Sequence, residues 1–365
     1  MFDGQLVIEA NRQFTLCNAC RYCEGLCEVF PEMELRTAFS EGDLSHLANL
    51  CHDCRACADA CPFSEPHEFA IEIPTLMSTL RAESFASLAK PAFLWRMLAD
   101  RTSLMRLALL AGICAVAAIF VTGDPSAIIH RHRGSGSFYA VIPHTRLVVI
   151  AAAITVIALV AIAVSAWNMM ASGPGGLGVL RSPRALAVAA RDAVTLRNLK
   201  GGGGGCGDSA SSLSRSRRHL HHLVLGGFVM MFASTVAAAI EQEFMGLIPP
   251  YQVLSVPVLL GTIGGIATAA GCLGFLLAST ASRDPVRAPG SRRLDRSFTT
   301  LLLAAVLTGL LTLVLRSTVL MGPALILHLG VLGAFFITLP YGKFVHAIYR
   351  YLALVRAEVG ADAPR

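Results

Sequence analysis

Residues 17–27, CNACRYCEGLC, set four cysteines in the pattern CxxCxxCxxxC, and residues 51–61, CHDCRACADAC, repeat it immediately before Pro62. Thiolates at two-residue gaps can close on three irons of one cubane iron-sulfur cluster, while the fourth cysteine reaches a neighbouring cluster. The two rows therefore interlock. The spacing assigns Cys17, Cys20, Cys23 and Cys61 to one [4Fe-4S] cluster, and Cys51, Cys54, Cys57 and Cys27 to the other. The second row, with its terminal proline, is the closer match to a bacterial ferredoxin ending, because Cys27 is followed by Glu-Val-Phe before Pro31. Structural zinc is content with four ligands in paired CxxC, so two full rows of four disfavour it. His46, His52 and His67 lie close by, but the thiolate count is already complete, which makes them surface or supporting residues. Paired clusters move single electrons and cannot carry out a hydride reaction. A two-electron donor must face this segment, and an acceptor must lie beyond it.

Eight of the eleven cysteines fall in these rows, where neighbours are too close in sequence to bridge sensibly. The opening residues, MFDGQLVIEANRQ, hold no basic start followed by an apolar run, so nothing exports this segment. A reduced, cytoplasmic, metal-binding domain over residues 1–100 is expected. The rest of the chain is different in kind. With 54% hydrophobic and 15% charged residues overall, the 365-residue chain is too apolar for a soluble protein. Apolar runs of spanning length occur at 104–122, 147–167, 220–240, 253–280, 298–315 and 324–349. They predict a six-helix transmembrane domain over residues 101–355 and a mainly α fold throughout.

Orientation follows from the basic residues. Segments 168–219, 282–297 and 343–365 carry 8, 5 and 4 Lys plus Arg, against 3, 0 and 1 in 123–146, 241–250 and 316–323. The richer loops belong in the cytoplasm, which places both termini and the cysteine rows there, in an inner-membrane protein. The net charge of +6 is thus a topology signal; no basic stripe interleaved with aromatics points to nucleic acid. The long loop 168–219 contains SGPGGLG and KGGGGGCGDSASS, read as flexible or tightly turned backbone, and it lacks the Lys-Ser/Thr ending of a phosphate loop. Cys206 in that loop, and Cys114 and Cys272 in the spans, are ordinary cysteines in this reading.

Histidines mark the acceptor side. Read as one helix, the last span puts His328 and His346, 18 residues apart, on one face about 27 Å apart, one near each membrane surface. Histidines in spans are costly and functional by default, and axial ligation of b haem fits that geometry. His219, His221 and His222 at the mouth of the third span offer an inner partner for His346. Choosing between His221 and His222 turns on a helix rotation of about 100°. At the outer end the partner for His328 should fall near residues 240–242, where Ile240, Glu241 and Gln242 stand instead; His144, His130 or His132 would have to substitute for a second haem.

The stretches CNACRYCEGLCEVFPEMELR, LANLCHDCRACADACPFSEPHEFAIEIP, DAVTLRNLKGGGGGC and TLPYGKFVHAIYR resemble the citrate or tricarballylate utilisation protein B family, from about residue 10 to 355. The resemblance implies a membrane iron-sulfur and haem protein that reoxidises the flavin of a partner FAD-dependent dehydrogenase and passes electrons to the quinone pool. It also implies kinship with the haem-bearing gamma subunit of respiratory nitrate reductase, and supports His346, His328 and one of His221 or His222 as ligands. Substrate chemistry is expected on the partner chain, since no flavin, nicotinamide or substrate motif is legible. Two other roles remain open: a redox partner in cobalamin biosynthesis, or a redox-regulated transporter accessory. For the latter, the fourth span allows one interruption, at Pro257 and GTIGG, but no matching one stands elsewhere.

Overall fold

The computed structural model describes residues 2–54, 56–98, 103–122, 126–197, 208–281 and 288–361. The glycine run at 201–205 and Cys206 lie outside the described residues. Among those described, every regular element is helical, in agreement with the mainly α reading. The N-terminal segment holds α1 Gly4–Cys20, α2 Val29–Glu34, α3 Glu41–Leu50, α4 Ala56–Ala60, α5 Ile73–Leu88 and α6 Ala92–Leu98. After it come α7 Ser103–Thr122, α8 Ser126–Ile129, α9 Ser137–Val141, α10 His144–Ser172, α11 Pro183–Thr195, α12 Asp208–Met245, α13 Val256–Ala281, α14 Pro289–Leu315, α15 Met321–Thr338 and α16 His346–Ala361.

Local chemistry sets the first elements. The Asp3 carboxylate accepts from the Gln5 and Leu6 amides and starts α1; Ser40 and Asp43 form a reciprocal capping box that starts α3. On α1, Ala10, Phe14 and Cys17 share one face at helical spacing, so the turn that buries Phe14 also carries Cys17 inward. Phe14 meets Phe39 edge-on at 5.1 Å, over a core of fully buried Met33, Leu44, Leu47, Leu50, Met77 and Leu80. A second layer is ionic. Arg36 bridges Glu32 and Asp43, and the His46 Nε2 atom lies 3.1 Å from Glu32, which joins α2 to α3. His46 is therefore a fully buried structural residue and not a surface one.

Among the described residues, five helices are long and apolar enough to cross a membrane: the spanning parts of α10, α12, α13, α14 and α15. The run expected at 104–122 is helical as α7, with a shorter apolar stretch, Arg106–Ile119. In space, α12 packs on α13, α13 on α14, α14 on α15, and α15 on α7 and α10. α12 and α13 approach closely because neither Gly227 nor Gly264 has a side chain. A Cβ on Gly264 would stand 2.7 Å from the Gly227 carbonyl oxygen, the small-residue contact by which helices associate where lipid removes the hydrophobic drive. On α10, Val149, Ile157, Val160 and Trp167 are all exposed, the surface a lipid-facing helix presents.

The sixth expected span is corrected. Residues 324–349 are not one helix: α15 stops at Thr338, Leu339–Tyr341 and Lys343–Val345 are single 3-10 turns around extended Gly342, and α16 begins at His346. Pro340 cannot extend the hydrogen-bond ladder, and this ends the span. His328 and His346 therefore do not share a helical face. The reading of loop 168–219 is corrected as well: Gly176–Arg181 is a 3-10 turn and Pro183–Thr195 is helix, entered through left-handed Gly175 and Gly176.

α16 packs on α3, α10 and α11, so the N-terminal segment rests against the span ends rather than hanging free. One close point is Gly42 on α3, where a Cβ would lie 2.3 Å from the Ser172 carbonyl oxygen at the end of α10. Gly42→Ala should lower the thermal midpoint of the detergent-solubilised protein through about 1–3 kcal/mol of overpacking. Gly4→Ala, with open space around its Cβ, should leave the midpoint unchanged or raise it slightly. Circular dichroism melts of the two variants check the contrast, and equal midpoints would refute the close contact.

Candidate functional site

α1 delivers Cys17 and Cys20 on its last turn, and left-handed Arg21 (φ 55°) reverses the chain while its amide donates to the Cys17 carbonyl. Tight turns then present Cys23 and Cys27, with Glu24 N donating to Arg21 O and Leu26 N to Cys23 O. In the second row Cys51 caps the C-terminus of α3. Left-handed Asp53 turns its amide back onto the Cys51 sulfur at 3.4 Å, α4 carries Cys57, and Cys61 follows. Arg81 on α5 fixes this end: Nε donates to Ala48 O at 2.9 Å and Nη2 to Cys51 O at 2.5 Å. A cation on the last carbonyls of a helix is the favourable end of its dipole.

Charge coupling shows which sulfurs are neighbours. Burial pushes the Cys17 thiol up to about 12, with Cys23, Cys61 and Cys20 adding to the rise. Burial also raises Cys27, helped by Cys51 and Cys54, and raises Cys57 well above its usual range, helped by Cys51, Cys27 and Cys54 and, last, by Cys23 of the first row. Cys27, Cys51, Cys54 and Cys57 line a single cavity walled by Leu26, Val29, Phe30, Ile73 and Met77, with His52 at its side. So the structure brings Cys61 to the first row and Cys27 to the second. Four thiolates crowded in an apolar wall repel one another unless a cationic core sits among them, and an iron-sulfur cubane supplies that core. The donor set fits the group. Among the described residues no three His, Cys, Asp or Glu side chains converge on one ion position; in a cubane each thiolate binds its own iron, so such convergence is not required.

Of the four histidines singled out, the structure pairs two. The rings of His221 on α12 and His346 at the start of α16 stand 6.1 Å apart at 74°. Imidazoles this close could both reach one metal ion. The His346 Nδ1 atom faces the Lys343 carbonyl at 2.5 Å. A carbonyl only accepts, so Nδ1 carries the proton and Nε2 keeps its lone pair for a metal, the usual orientation of a ligating histidine. The His221 Nδ1 atom is buried with no hydrogen-bond partner among the described residues. These features fit a haem iron.

His222 points elsewhere. Its Nε2 atom lies 3.3 Å from the Val194 carbonyl, and Arg218 Nη2 donates to Thr195 O at 2.8 Å, so both serve the C-terminus of α11. α11 thus engages one face of α12 through His222 and Arg218, while the His221 ring faces His346 of α16. His328 lies on α15 with Nδ1 3.0 Å from Thr308 Oγ1 of α14. The residues considered as its partner are engaged away from it. His130 and His132 face the carbonyls of Ser126 and Ala127, and His144 Nε2 receives a hydrogen bond from Gln242 Nε2 at 2.6 Å, with Glu243 beside it. Gln242, standing where the outer ligand was sought, also accepts from the Tyr139 hydroxyl.

Residues 96–365 match the family model for Citrate utilization protein B, and residues 10–87 match that for the Citrate utilization protein B Fer4-like domain. This chain belongs to the citrate utilization protein B family. It is 37% identical over 353 residues to Citrate utilization protein B of Escherichia coli, covering 95% of this chain and 91% of that relative. No solved structure matches. The Fer4-like assignment covers both cysteine rows, and the larger family segment covers every helix long enough to span a membrane. An iron-sulfur electron-transfer role and a membrane location therefore stand for this member of the citrate utilization protein B family.

Two arginines escaped the sequence reading. Arg81 and Arg350 stand in largely apolar helical stretches, where a charge needs a partner, and that is the signal that would have found them.

Thiols held this high are protonated in the metal-free chain at neutral pH, so loading a cluster expels their protons and its affinity falls as pH is lowered. Visible iron-sulfur absorption of the anaerobic protein should decline on stepping from about pH 8 to 5, with protons taken up as clusters leave. Cluster retention independent of pH would contradict the assignment of buried thiols as ligands.

Proposed function

We propose that this chain is the membrane electron-transfer subunit of a flavin-linked dehydrogenase system. A flavin hydroquinone on a partner FAD-dependent dehydrogenase of the tricarballylate or citrate type gives up two electrons and two protons. A membrane quinone takes two electrons and two protons to become the quinol. Cys17, Cys20, Cys23 and Cys61 would hold one [4Fe-4S] cluster, Cys51, Cys54, Cys57 and Cys27 a second, and His221 and His346 one b haem. Bound there, these groups supply one-electron chemistry between a two-electron donor and a two-electron acceptor. The chain itself separates them from water and fixes their order, with α7 as the sixth crossing and the iron-sulfur segment on the cytoplasmic side of the inner membrane.

The observation that carries this reading is the pairing of His221 with His346 where α16 packs against the iron-sulfur segment. His221 Nδ1 is left unpartnered there among the described residues, whereas His222 next to it faces the Val194 carbonyl. A second, outer haem is left out of this reading because His130, His132 and His144, the candidate partners of His328, are engaged with other residues.

Cys54→Ala, His221→Ala and His346→Ala should each cut flavin-driven quinone reduction by more than the roughly 10–100-fold typical of losing a supporting residue. The two histidine variants should also lose the b-type spectrum while keeping the clusters. His222→Ala and His328→Ala should retain both the spectrum and a rate near that of the parent. A b-type spectrum that survives His221→Ala but disappears in His222→Ala would overturn the ligand assignment, and quinone reduction unchanged in Cys54→Ala would overturn the function.

A further inference from the structure

Arg350 has no task in the account above. It lies four residues after His346 on α16, one turn on, so the two side chains leave the same face of the helix. Its Nη2 nitrogen is buried and has no hydrogen-bond partner among the described residues. Its charge acts on His221 and on His346, and it is acted on in turn by Cys51, Cys54 and Cys27, with Arg81 as a repelling neighbour. The guanidinium thus lies near both the second cysteine row and the histidine pair.

A buried, unpaired guanidinium donor is expensive, and among the described residues no carboxylate forms an ion pair with it. Asp295 is held by Lys343 at 2.7 Å, and Glu32 is engaged by Arg36 and His46. The missing partner must be an anion that arrives with a bound group. Arginine's planar fork matches a carboxylate better than any other common anion except phosphate, and b haem carries two carboxylates on one edge of its ring. We infer that Arg350 binds a carboxylate of the haem held between His221 and His346, seating the ring and raising its reduction potential. Arg350 is in this sense a positioning residue, and the inference rests on the histidine-pair reading.

The test uses the full-length protein purified anaerobically in detergent, with haem per chain and the haem and cluster potentials measured for the parent, Arg350→Gln and Arg350→Lys. Removing the positive charge favours the ferric state. Arg350→Gln should retain less haem, and what it retains should titrate lower by about 59 mV, a tenfold change in the oxidised-to-reduced ratio. Arg350→Lys keeps the charge and loses the fork, so its potential should fall less, while its haem retention should still be weakened. The parent stripped of haem should bind haem dimethyl ester, whose carboxylates are blocked, more weakly than haem itself, and this arm decides the matter even where Arg350→Gln fails to fold. Equal binding of the two porphyrins by the parent would overturn the inference. So would an unchanged haem potential in Arg350→Gln, or a shift confined to the clusters, which would make Arg350 a donor to cysteine sulfur. A parent with no haem at all would instead remove the histidine-pair reading.

Discussion

The break between Thr338 and His346 is the constraint on which the site depends. Pro340 stops α15, Gly342 allows the extended link, and the chain restarts as α16 against α3, α10 and α11 instead of continuing out of the bundle. A straight helix would have carried His346 along the axis of the span. The break sets it beside His221 and turns the following residue cluster, Tyr349 to Arg356, into the buried seam between the iron-sulfur segment and the spans. Arg356 closes that seam by donating to the Met170 carbonyl at 3.1 Å, and Gly173 beside it leaves no room for a side chain. One local backbone event thus aligns thiols, guanidinium and imidazoles.

Electrostatics then accounts for the composition of that seam. Buried charges persist only where they are paired or hydrogen-bonded, and the described carboxylates and cations of the N-terminal segment obey this: Glu32 with Arg36 and His46, Asp43 with Arg36, and Arg81 on the α3 carbonyls. The thiols and Arg350 are the groups that do not balance among themselves. In the proposed reading their imbalance would be resolved by cofactors bearing the opposite charges, cationic iron among thiolates and an anionic carboxylate at the guanidinium. Away from the seam, the spans show the opposite economy, with apolar faces turned outward on α10 and glycine contacts between α12 and α13.

The cysteine rows were legible in the sequence because cluster ligation is encoded in local spacing, and both the fold class and the family follow from features of that kind. The long apolar runs were legible for the same reason. What composition cannot register is a change of direction inside an apolar stretch: residues around Pro340 and Gly342 stay hydrophobic on both sides of the turn, so 324–349 read as one helix. The choice between His221 and His222 was equally hidden, because it is made by the C-terminus of α11, an element within a loop that read as glycine-rich linker. In the sequence Arg350 counts only as one of the basic residues of 343–365, and its buried nitrogen follows from the packing of α16.

The account's central claim is that one chain carries two clusters and a single haem at this junction. Iron, acid-labile sulfide and pyridine-haemochrome content per chain, measured on anaerobically purified protein, test it most directly. About eight non-haem irons, as many sulfides and one b haem are predicted. Zinc in place of iron and sulfide, or clusters without any haem, would contradict it.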